Sequence, residues 1–167
     1  MRRLGIVVLV IVVGLYLVPN AVAVGADSVE DVLDSDDGLI NDYVNDMAFD
    51  DEEQHLYLGT QNGLSVFNIE QKEFVDHLNF SSSEYRNNVL DVCTGGVGVY
   101  LVTSAFDYPV KHYYRSSGVG HLSNVSIYRP MYSTGLTSIG VSQNGSVLCV
   151  GVNGEGILVY CNTVLTQ

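Results

Sequence analysis

The groups in this chain that could do chemistry are four histidines, three cysteines, an acidic run near the start, and two aspartates and a serine at matching places in a repeat. His55, His77, His112 and His121 are scattered. No two have the spacing that brings imidazoles to one metal ion, and none sits beside a serine or cysteine placed as a nucleophile. Cys93, Cys149 and Cys161 include no CxxC pair, so neither a zinc site nor a dithiol redox centre is indicated. The run Asp34-Ser35-Asp36-Asp37-Gly38 has the look of a calcium loop, but its glycine comes too early and Asn45 stands where the closing glutamate belongs. The expectation is a chain with no catalytic residue, no bound metal and no cofactor.

Asp46, Asp91 and Ser138 are a different matter, because they hold the same place in three copies of one unit. The first copy runs through Asp46 to Phe49, a polar turn at Asp50 to Gln54, Leu56 to Thr60, a turn at Gln61-Asn62-Gly63, and Leu64 to Phe67. Each apolar piece has strand length, and Asn62-Gly63 between two of them is a hairpin signal because such a turn demands positive φ. The second copy aligns Val89 to Cys93 and Val99 to Thr103, with the glycine-rich turn Gly95-Gly96-Val97-Gly98 between them. The third aligns Leu136 to Gly140 and Leu148 to Val152, then Ile157 to Tyr160. Matching positions lie 43 to 49 residues apart, the span of a four-stranded blade. Two roles are open for Asp46, Asp91 and Ser138. They either line a channel as ligand-binding groups, or the aspartates accept neighbouring backbone N–H groups and lock one unit to the next.

The stretch Gly38–Asn68 resembles the two-component-regulator type of β-propeller repeat. Gly38-Leu39-Ile40-Asn41 matches its opening, Asp50-Asp51 its acidic turn, Leu56 to Thr60 its aromatic strand ending in Gly-Thr, and Asn62-Gly63-Leu64 its second turn. Weaker copies cover residues 87–118 and 135–164. Tyr57 stands where the family often has tryptophan, which this chain lacks entirely. The resemblance implies an all-β fold of about three four-stranded propeller-like blades, an extracytoplasmic setting, and no shared active site. Propellers close with four or more blades. Three copies therefore point to part of a larger reading frame, to a homodimer that completes a six-bladed ring, or to an open stack.

The N-terminus reads as an export signal. Met1-Arg2-Arg3 precedes an unbroken apolar run from Leu4 to Val18, and Pro19-Asn20-Ala21-Val22-Ala23 supplies a helix breaker and a cleavage site after Ala23. An uncleaved membrane anchor over residues 4–26 is the alternative. The expected division is a signal or anchor helix at 1–23, an acidic flexible linker at 24–38, and a partial propeller domain at 39–167. The whole chain carries −12, and loss of Arg2 and Arg3 makes it more negative. Such a surface repels phosphate backbones, so nucleic acid is excluded as a partner.

Cys149 and Cys161 fall on neighbouring strands of one hairpin and are a candidate disulfide, although three small core thiols is the simpler reading. Asn79, Asn124 and Asn144 begin glycosylation sequons. Tyr108, Tyr113, Tyr114, Tyr128 and Tyr132 crowd one region with His112, Arg115 and Arg129, a mixture suited to a protein or glycan surface or to packing between blades. The leading expectation is an exported, non-catalytic binding module. Its alternative is a piece of a sensory ectodomain, and a propeller enzyme of lyase or lactonase type is the least supported.

Overall fold

The computed structural model describes residues 32–82, 86–96, 98–105, 108–127 and 135–161. The expected signal or anchor over 4–26, its cleavage point after Ala23, the first half of the acidic leader, Tyr128, Arg129, Tyr132 and the segment Thr163-Val164-Leu165 lie outside them. The chain divides into Met1–Val32 and Leu33–Gln167, and every described strand belongs to the second unit.

Eleven strands among the described residues form three antiparallel sheets. The first contains β1 (Val44–Asp50), β2 (His55–Thr60), β3 (Gly63–Asn68) and β4 (Glu73–Leu78), paired in chain order. The second repeats that order with β5 (Val89–Thr94), β6 (Val99–Thr103), β7 (Val110–Ser116) and β8 (Val119–Asn124). The third holds β9 (Leu136–Val141), β10 (Val147–Val152) and β11 (Gly156–Cys161). It was expected to have four strands; three are described, and the segment expected to supply the fourth is among the residues not described. Val44, Val89 and Leu136 each open a sheet, as the repeat alignment requires.

The register repeats as well. Asp46 pairs with Gly59, Asp91 with Val102 and Ser138 with Gly151. In each first strand the residue just before is skipped, namely Asn45, Leu90 and Thr137. A bulge of this kind turns the strand and re-aims the side chain that follows it. The β2–β3 hairpin closes at Gln61-Asn62, with Gly63 at φ 132°. A Cβ on Gly63 would run into the Leu78 carbonyl oxygen, so glycine is required there both for its backbone and for space. Thr60 caps this loop, its Oγ1 donating to the Gly63 carbonyl at 2.9 Å and accepting from Asn62 N at 3.1 Å. Thr103 does the same for the second sheet with the Pro109 carbonyl and Ala105 N.

The sheets stack face to face with β1, β5 and β9 as neighbours. Between the first two sheets Tyr57, Leu64 and Val66 meet Val89, Val92, Val99, Leu101 and Tyr113. Between the second and third, Tyr100, Val102 and Val110 meet Leu136, Ile139, Leu148, Val150 and Val152. Each fully buried valine or leucine in these seams contributes about 1.5–3 kcal/mol. The middle sheet is covered on both faces, so β6 is buried at every position. In β10 only alternate residues are buried, as expected for a sheet with one face covered.

The acidic leader is described from residue 32 onward. Over its described residues it closes into a turn: Asp37 N donates to the Asp34 carbonyl at 3.1 Å and Leu39 N to the same oxygen at 3.0 Å. Leu39 is buried, and Ile40 N donates to Ser65 Oγ at 3.1 Å. The leader therefore runs over the far face of the first sheet on its β3–β4 side.

Candidate functional site

The site begins with the bulges. Because Asn45 and Leu90 are skipped, Asp46 and Asp91 point across the gap between neighbouring first strands. Asp46 Oδ2 accepts a hydrogen bond from Val92 N at 2.8 Å. Asp91 Oδ2 accepts one from Ile139 N at 2.5 Å. The rule is the same at both seams: a carboxylate accepts the amide of the residue that follows its own counterpart in the next sheet. Charge-assisted bonds of this type are stronger than neutral ones. They also satisfy amides on the edge of a first strand that would otherwise lack a partner.

The two carboxyl groups also meet each other. Asp91 is pushed up to about 6, first by burial and then by its hydrogen bond with Asp46, while the Ile139 amide pulls the other way. Below that pH Asp91 carries a proton beside the Asp46 side chain. Three strands are thereby tied through two side chains. Asn45 adds to the first seam, its Nδ2 donating to Asn88 Oδ1 and to the Val89 carbonyl, both at 2.7 Å. Thr94 Oγ1 donates to the Phe49 carbonyl at 3.3 Å.

Of the two roles open for this trio, the geometry carries sheet-to-sheet locking for Asp46 and Asp91. Ser138 is exposed, and no carboxylate stands in its place. Cys93, beside the carboxyl pair, is pushed up to about 12 by burial and by the charge of Asp91. Its thiol stays protonated at neutral pH, a state that is neither nucleophilic nor metal-binding.

The remaining candidates are dispersed. His55 Nδ1 lies 3.2 Å from Glu53 Oε2, and its Nε2 lies 3.3 Å from Asn68 Nδ2. His77 Nδ1 lies 3.1 Å from Ser65 Oγ. His112 and His121 belong to a ladder of stacked rings, Tyr100–His112–Tyr114–His121, with centroids 4.5, 5.4 and 5.0 Å apart. Among the described residues no group of three or more His, Cys, Asp or Glu is placed to hold a metal ion. In the acidic turn Asp34 and Asp42 spend their oxygens on Asp36 N and Ser35 N.

The candidate disulfide is corrected by the register. Cys149 faces Val159 and Cys161 faces Val147, and all three cysteines are free. Nor are they buried core thiols: Cys161 is exposed and the others are half-buried. Asn79, Asn124 and Asn144 are all exposed. Asn124 Oδ1 accepts from Lys111 Nζ at 2.5 Å, and Asn144 Oδ1 accepts from Ser146 N at 3.1 Å. The tyrosine-rich region splits. Tyr108 is exposed, whereas Tyr113 is fully buried, stacks edge-on against Tyr57 at 6.1 Å and donates to Asp76 Oδ2 at 2.8 Å. Arg115 reaches the same carboxylate at 3.7 Å.

Asn87 was not singled out by sequence. It is buried and accepts from Phe80 N and Ser81 N, both at 2.8 Å, to shape the passage from the first sheet to the second. Its one sequence signal is an asparagine at the first position of the second copy.

No family model matches the chain, and no curated protein matches it. Among solved structures it is similar to one from B. thetaiotaomicron, described as the extracellular domain of a hybrid two-component system. The TM-score is 0.58 with 18% sequence identity, and the match covers 80% of this chain. The chain spans 17% of the length of that structure. At this identity the likeness is one of fold.

Proposed function

We propose that the chain is part of an extracytoplasmic sensory module of the two-component type, in which the three sheets are blades of a β-propeller repeat. Its work is recognition of a protein or glycan, with no chemistry of its own. The observation that carries this reading is the likeness in fold to an extracellular domain of a hybrid two-component system, over most of the chain. The polar groups of the seams support it, because Asp46 and Asp91 are engaged with backbone amides and the Cys93 thiol is held protonated.

Two measurements test it. Protease added to intact cells should digest the chain; protection from it would overturn the extracytoplasmic placement. Thermal unfolding of the full chain against panels of oligosaccharides and peptides should reveal a stabilising ligand. At one hundred times its Kd such a ligand adds about 2.7 kcal/mol, and it should be recovered unchanged. Chemical conversion of a ligand would favour the enzyme reading instead.

A further inference from the structure

Asparagine is followed by glycine three times, at Asn62-Gly63, Asn144-Gly145 and Asn153-Gly154. Such a pair can react with itself. The glycine nitrogen, once it has lost its proton, attacks the side-chain carbonyl carbon of the asparagine and closes a cyclic imide. Glycine permits this because it has no Cβ to bar the approach and its backbone turns freely. The fold decides which pair reacts. A nitrogen that donates a hydrogen bond must first give it up, and a peptide fixed in a ladder must first leave it.

Two of the pairs are held. Gly63 pairs with Thr60 in the β2–β3 ladder and lies close against the Leu78 carbonyl. Asn62 is half-buried, and its Oδ1 accepts from Asn87 Nδ2 at 3.4 Å. Gly145 N donates to the Ser142 carbonyl at 2.8 Å. Asn144 Oδ1 accepts from Ser142 Oγ and Ser146 Oγ, both at 2.8 Å, and from Ser146 N at 3.1 Å. The Gly145 backbone is also pressed against Gly96 of the neighbouring sheet.

The third pair differs. Asn153, Gly154 and Glu155 form the exposed tip of the β10–β11 turn, outside the strand pairing. Asn153 N donates to the Gly135 carbonyl at 3.0 Å and Glu155 N to the Val152 carbonyl at 3.1 Å. The Gly154 N–H between them donates to no described group. Gly154 stands at φ 77°, and nothing lies within 4 Å of a carbon added to it. Loss of its proton therefore breaks no hydrogen bond.

We propose that Asn153 is a site of spontaneous deamidation, with water as the only co-reactant. Gly154 N bonds to Asn153 Cγ, the Cγ–Nδ2 bond breaks, and ammonia leaves with the proton that the glycine amide gave up. Water then opens the imide at either carbonyl. One opening leaves aspartate. The other leaves isoaspartate, whose main chain runs through the former side chain and is longer by a methylene. Either product adds a negative charge beside Glu155. Isoaspartate also stretches the turn that Glu155 N closes on the Val152 carbonyl. The modification is independent of what the module recognises.

The test is timed peptide mapping by mass spectrometry of the full chain, kept folded in mild detergent at mildly alkaline pH. Exchange of the side-chain amide for a carboxyl should accumulate at Asn153 at least about tenfold faster than at Asn62 or Asn144. Electron-transfer fragmentation should find isoaspartate there. In chain unfolded by urea the three rates should converge, because each pair then offers the same unbonded glycine. Equal rates in the folded chain, or a faster reaction at Asn62 or Asn144, would overturn the proposal. So would a lead for Asn153 of the same size in urea, since the order would then belong to flanking residues and not to the turn. Asn153→Gln, whose longer side chain closes a larger ring slowly, should abolish the product in that peptide with circular dichroism unchanged. A product that persists in the variant would place the reacting amide elsewhere and contradict the assignment.

Discussion

Asp91 holds its proton because its charge is partly withdrawn from water and faces a second carboxylate. Its folded value of about 6 exceeds the ordinary 3.8, so the folded chain binds that proton more tightly than the unfolded one. The resulting stabilisation is complete below about pH 3.8 and is lost as pH rises through 6. Asparagine at this position keeps an oxygen for the Ile139 amide and an N–H for Asp46, but it cannot titrate. Between about pH 5 and 7 the urea midpoint of wild type should therefore fall more than that of Asp91→Asn. Equal slopes would mean that folding does not raise the Asp91 carboxyl. The role of the pair was half-legible in sequence. The repeat placed Asp46 and Asp91 at matching positions and raised locking as one of two roles. Which way they point could not be read, because a bulge skips one residue and breaks the alternation on which facing is judged.

At the scale of elements, glycine marks the places where sheets approach one another. Gly59→Ala should destabilise the chain by about 1–3 kcal/mol in urea unfolding, since its methyl group would overlap the two valines of the next sheet. Gly140→Ala, with nothing within 4 Å of the added carbon, should stay within about 0.5 kcal/mol of wild type. Equal effects would place the seam elsewhere. Strand identity was well expressed in sequence, because Asn62-Gly63 and the short apolar runs leave little choice. The reason for the glycine-rich turn after β5 was not. Gly96 N donates to the Gln143 carbonyl at 2.9 Å, and the backbones at Gly96 and Gly145 nearly touch. That contact joins turns of different sheets, and no local pattern encodes it. Nor did sequence show that Cys149 faces Val159 rather than Cys161, since pairing depends on where the β10–β11 turn closes.

At the scale of the whole molecule, a unit is defined by its fit to the next one. Sheets of unlike sequence keep one register, one bulge and one carboxylate-to-amide bond at each seam, so replication of the seam and not of its residues builds the stack. This explains why copies with little residue identity are still equivalent in space. The central claim is that the carboxylate-to-amide bond joins the sheets. Residue-resolved amide hydrogen exchange of the full chain tests it most directly. Val92 and Ile139 present their amides away from the strands beside them and should exchange slowly in wild type. Asp46→Ala should expose Val92 alone and Asp91→Ala should expose Ile139 alone, each by more than about tenfold, or about 1.4 kcal/mol. Exchange of both amides at loop rates in wild type, or no change in either variant, would contradict the account.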